Sequence, residues 1–133
     1  MAQNQEYLKI SAESLAIQTH LGILQNVIQR MASNSSSCKA WCVTLVSAVL
    51  VMVADKSNSN YAWIALLPTI VFASLDGYYL ALEKAFRNSY NEFISKLHRG
   101  QLREDDLYSV VPTGNIYLTQ LESLKSFSIW GFY

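Results

Sequence analysis

Residues 41–54 read WCVTLVSAVLVMVA and residues 61–75 read YAWIALLPTIVFASL; neither run carries a charge, and the polar DKSNSN separates them. A helix that is apolar on every side must be covered on every side. A chain of 133 residues has few other elements with which to surround two such helices, so lipid is the cover they imply. Each run falls short of the roughly 20 residues that cross a bilayer. The first can be lengthened back through residues 35–38, with the Lys39 ammonium reaching towards the headgroups, and the second onward through Asp76 to Leu82. The reading is an all-α membrane protein with a two-helix transmembrane hairpin, spans at about 39–55 and 61–82; a soluble helical bundle is the competing architecture.

The flanking segments complete four regions: an amphipathic helix and hinge over 1–38, the hairpin over 39–82, a cytosolic helical extension over 83–99, and a loop, helix and aromatic tail over 100–133. Residues 5–31 lack proline and carry Ile17, Leu21, Leu24, Ile28 and Met31 at spacings of 4, 3, 4 and 3, with Ile10 one heptad earlier. That spacing is a coiled-coil seam. The SNSSS at 33–37 interrupts it and reads as a short hinge. After the second span no breaker precedes LEKAFRNSYNEFISKLH, so one helix should run to His98 and stop at Gly100. Glu83 and Arg87 stand in the favourable order for a surface pair. A turn over 112–115 should open a further helix through Tyr117, Leu121, Leu124 and Ser128, and the tail FSIWGFY is aromatic enough to seek an interfacial or intersubunit contact.

Charge placement suggests an orientation. Arg30 and Lys39 precede the first span, Lys84, Arg87 and Lys96 follow the second, and Lys56 alone lies between, so both termini should face the cytoplasm. The polar opening MAQNQEY lacks the pattern of a secretory signal, and Ala2 does not fit N-myristoylation.

Ten basic residues balance ten acidic ones, with 51% hydrophobic and 15% charged residues, so no basic field exists to hold nucleic acid. Cys38 and Cys42, four apart on one helical face, pair poorly with each other; palmitoylation or an intersubunit bridge is the functional alternative to packing. With His20 and His98 distant from them, no metal centre is expected. No cofactor motif and no paired nucleophile and base appear, and an enzyme is not expected.

Three polar residues invite a functional reading. Asp76 at the inner part of an apolar span costs about 3 kcal/mol on insertion scales, so it should sit at the headgroup boundary, line a pore or close an intersubunit contact. Thr44 and Ser47 share a stripe with Ala40, Val51 and Ala54 that suits close helix packing or an aqueous path. Pro68 reads as a mid-span bend.

An amphipathic helix, two closely spaced spans and the transition DGYYLALEKAFRNSYNEF together resemble the small two-transmembrane effectors of bacterial anti-phage systems, including SLATT-type domains, over residues 7–98. The resemblance implies a homo-oligomer in the bacterial inner membrane that forms a pore or disrupts membrane integrity in antiviral defence. The resemblance implies activation when a partner senses infection, and a cytosolic protein is a candidate partner. The seam from Ile17 to Met31 is longer than the extension over 83–98, so its remaining length should pack on another subunit, holding the subunits together, or on the segment over 115–128. The alternative is a non-conducting scaffold or regulatory subunit that recruits a cytosolic protein through that seam.

Overall fold

The computed structural model describes residues 14–56 and 59–133; the expectations for Ala2, Ile10 and a helix start near residue 5 lie outside the described residues. Two long helices dominate: α1, Leu15–Lys56, and α2, Leu66–His98. A 3-10 turn, Ser59–Ala65, leads into α2; α3 is Ile116–Leu124, α4 is Phe127–Trp130, and a second 3-10 turn covers Glu104–Asp106. No strand occurs among the described residues.

Long-range pairs define how α1 and α2 lie. Ile17 packs with Phe93, Leu24 and Met31 share a cluster with Phe86, and Lys39 bonds Asp76, so the two helices run antiparallel. With 42 residues, α1 is about 63 Å long. Both helices are long and apolar enough to cross a membrane. Only 11% and 17% of their most apolar stretches are buried within the chain, which is not how a soluble protein treats its core helices. Trp41, Val43, Leu50, Val51, Leu67 and Ile70 are all exposed at this end of the pair.

The opposite end carries the core. Ile17, Phe93 and Leu102 form one cluster with Leu21, Leu97 and Leu107 against it. Leu24, Met31 and Phe86 form the next, with Ile28, Tyr79, Tyr90 and Val110 packed around. Within one chain Ile17, Leu24 and Met31 of the seam are buried, and Leu21 and Ile28 are partly buried against the same two clusters. The segment after α2 folds back and supplies Leu102, Leu107 and Val110, partners that a comparison of helix lengths could not count.

The hinge at 33–37 is also corrected: α1 passes through SNSSS without a break. Ser37 donates to the Ser33 carbonyl at 2.9 Å, and Met31, Ser35, Cys38 and Cys42 are all buried. Their spacing of 4, 3 and 4 continues the seam, so burial against α2 outweighs the weak helix preference of serine and asparagine.

Pro68 bends nothing mid-helix, because α2 begins at Leu66 and the proline occupies its first turn, where an N–H has no required intrahelical partner. Thr69 returns its hydroxyl to the Ala65 carbonyl at 2.9 Å. The other end is as anticipated. Gly100 takes φ +66°, and the Gln101 and Gly100 amides donate to Lys96 and Leu97 in a Schellman close. Arg87 meets Glu83 at 2.7 Å.

A stripe of small buried residues on α2, Gly77, Ala81 and Ala85, recurs every fourth position and seats the C-terminal segment. Thr113 donates to Ala85 at 3.4 Å, and Leu124 rests on Gly77, so α3 runs back along α2 towards the apolar end. Asn115 caps α3 by accepting from the Tyr117 amide at 3.1 Å. The helical pattern expected to continue to Ser128 is interrupted at Lys125, after which α4 turns to place Ile129 beside Gly77.

Candidate functional site

At the edge of the exposed apolar stretch, α1 contributes Ser35 and Lys39 and α2 contributes Asp76. The Asp76 carboxylate is fully buried, and its two oxygens are divided between the Ser35 hydroxyl and the Lys39 ammonium. Lys39 also lies 3.5 Å from Ser35 Oγ, and its side chain keeps 21% exposure. A buried charge is tolerated when it is paired and hydrogen-bonded, and Asp76 is both. The pair neutralises a carboxylate that an apolar setting would otherwise reject, and it sets the register between α1 and α2 at one level.

The end of the chain closes over this cluster. Lys39 Nζ stands 5.9 Å from the Phe132 ring centroid, within the reach of a cation–π contact. Phe132 and Tyr133 meet edge to face with centroids 4.9 Å apart. Tyr133 lies near Asp76, Cys42 and Cys38, and burial followed by the Asp76 charge pushes its phenol above the ordinary range. Cys38 and Cys42 are free thiols buried on the inner face of α1, away from any surface where a lipid chain could be attached.

The sequence-derived candidates are thus separated. Asp76 is fully buried, and the partners that hold it, Ser35 and Lys39, belong to its own chain. Thr44 and Ser47 lie on the exposed side of α1, with the Thr44 hydroxyl returned to the Ala40 carbonyl at 2.9 Å. Ser35 and Lys39 were not anticipated as partners of Asp76. The signal was available, since Ser35, Cys38 and Cys42 extend the seam spacing beyond Met31, but the serine-rich composition suggested a break.

A second polar cluster sits at the far end of the bundle. His20 is buried, tilted on Phe93 with centroids 4.3 Å apart, and its Nδ1 accepts the Tyr108 amide at 2.9 Å. Burial lowers the His20 pKa, partly offset by Asp106. Tyr108 holds φ +64°, an uncommon conformation for a residue with a side chain, at the point where the amide meets His20. Nearby, Lys96 donates to Asp106 at 2.9 Å and pairs with Glu92 at 3.4 Å. The hydrogen bond to Asp106 raises the Lys96 pKa despite some burial. Burial alone would push Asp106 up, but Lys96 and the Arg103 amide hold its carboxyl below the usual range. A cleft of about 150 Å³ opens between His20, Ser89, Glu92, Lys96 and Asp106. Among the described residues no three His, Cys, Asp or Glu side chains gather as a metal site.

No family model, curated protein or solved structure matches this chain.

Proposed function

We propose that the chain is a two-span helical protein of the bacterial inner membrane, with both termini cytoplasmic, that assembles as a homo-oligomer and forms a pore or disrupts membrane integrity. Anti-phage defence is the setting that the architecture's resemblance implies. The observation that carries the reading is the exposed apolar stretch shared by α1 and α2, which ends at a buried ion pair between Lys39 and Asp76. A bilayer covers such a surface without further protein, and a pair at its inner edge lets a lysine and a carboxylate stand near the headgroups at little cost.

Because the seam from Ile17 to Met31 is occupied within the chain, assembly falls to the outer face of α1. Thr44 and Ser47 lie there with Ala40 and Ala54, all exposed. Small and hydroxylated side chains permit close approach of helices in lipid, where no hydrophobic force separates protein from solvent. Reconstitution into liposomes tests the function. Release of an encapsulated dye or collapse of a potassium gradient, lost when Thr44 and Ser47 are both replaced by leucine, supports it. Intact gradients in every assembled state remove the pore reading.

A further inference from the structure

The faces of α3 and α4 differ sharply. One is packed: Ser123 and Ile129 are buried, and Leu124 and Ile129 rest on Gly77. The other is apolar and open, with Tyr117, Leu118 and Leu121 exposed beside Phe127 at 89% and Trp130 at 80%. Over residues 116–130 the only charged side chains are Glu122 and Lys125, both exposed and four residues on from Leu118 and Leu121, so the open face carries one acid and one base among its apolar residues. We propose that this outer face is a lipid-binding surface, with α3 and α4 lying in the headgroup layer beside the inner end of the hairpin.

The proposal rests on the reading of α1 and α2 as spans, and three observations place a lipid surface there. The first is level. Gly77 is the residue after Asp76, and Phe132 reaches Lys39, so the helix pair is fastened where the apolar stretch ends. The second is continuity. Trp41 and Tyr78, each two residues from the Lys39 and Asp76 pair, are themselves exposed, so exposed aromatic rings of the hairpin stand at the level where α4 is seated.

The third is size and composition. Helices of nine and four residues offer less than the roughly 20–30 residues a side that a stable protein interface uses. Tryptophan, tyrosine and phenylalanine on a sparsely charged helix suit the boundary between headgroups and acyl chains, where the ring and its polar atom each find a matching medium. A second copy of the chain is the competing occupant, and the experiment separates the two.

The full chain is prepared with Trp130 as its single tryptophan, through Trp41→Phe and Trp63→Phe, and reconstituted in phosphatidylcholine vesicles. Lipids carrying a spin label near the headgroup or midway along the acyl chain quench its fluorescence. A companion variant, Leu50→Trp with all three native tryptophans replaced by phenylalanine, reports on the span itself. The expected result is that Trp130 is quenched several-fold more by the shallow label and the tryptophan at position 50 more by the deep one. If position 50 responds to the deep label while Trp130 responds to neither, or more to the deep label, the interfacial placement is overturned and the span stands. Shielding of Trp130 from both lipid labels and aqueous iodide would give that surface to a second copy. No response at position 50 overturns the span, and the inference with it.

Discussion

Lys39 and Asp76 stand 37 positions apart in the chain, yet they meet across α1 and α2 in a pair that leaves the carboxylate fully buried. Both charges are accounted for within one chain, with Ser35 taking the second carboxylate oxygen. Removing one partner strands the other. Lys39→Met, which leaves the fully buried Asp76 carboxylate without its cation, should therefore destabilise the helix pair by about 3–5 kcal/mol, whereas Lys39→Met combined with Asp76→Leu should recover most of that loss. Unfolding followed by circular dichroism in detergent checks this, and equal losses in the single and double variants would show that the charges are not coupled.

Gly77 is required by closeness rather than by backbone conformation. A Cβ there would stand 2.8 Å from Leu124 Cδ2 and 3.4 Å from Ile129 Cδ1. Gly77→Ala should be nearly neutral, because the Leu124 side-chain end can shift and alanine gains about 1 kcal/mol of helix preference. Gly77→Leu should cost about 1–3 kcal/mol by overpacking and free the segment from residue 113 onward. Limited proteolysis reads the difference: the C-terminal segment should be cut faster in the leucine variant while α1 and α2 remain protected.

Acidification should loosen the His20 end before it affects the carboxylates. His20 has a lowered folded pKa, so the folded state binds fewer protons than the unfolded one as pH falls below about 6.5. Stability held above that pH is lost between the unfolded and folded pKa values of the imidazole. Asp106, also lowered, gives up its contribution only as pH falls below about 3.8, and Lys96, raised, only as pH climbs above about 10.5. Melting temperature measured from pH 8 to pH 5 should decline in the native chain. In His20→Phe the slope should flatten from a lower starting value, because the Tyr108 amide loses its acceptor.

Leu24 is buried against Phe86 and Met31. Leu24→Ala should cost about 2–5 kcal/mol. Replacing Leu21 and Leu24 together by aspartate should open the base of the bundle, since the faces they touch belong to the same chain. Hydrogen exchange should rise across residues 15–31 and 86–97 alike. A change in subunit number with unaltered exchange would instead return the seam to an intersubunit role.

Part of the candidate site is legible in the sequence. Asp76 is conspicuous as the charge that interrupts an apolar run. Its partners were not legible, because Ser35 sits in a serine-rich stretch that favours turns by local preference and Lys39 reads equally well as a solvated flank. His20 was similarly opaque. A lone histidine announces nothing about an amide 88 positions away that needs an acceptor.

What the sequence determined by itself was whatever depends on neighbours along the chain. The apolar runs, the stop at Gly100, the turn over 112–115 and the pairing of Glu83 with Arg87 all rest on hydrogen bonds, dihedral preferences and periodicity that act within a few residues. The tertiary structure decided the continuity of α1 through SNSSS, the covering of the seam by Leu102 and Leu107, and which side of α3 is packed. In each, burial against a distant segment outweighs local preferences worth a kcal/mol or less per residue, and that burial exists only once α1, α2 and the returning segment are assembled.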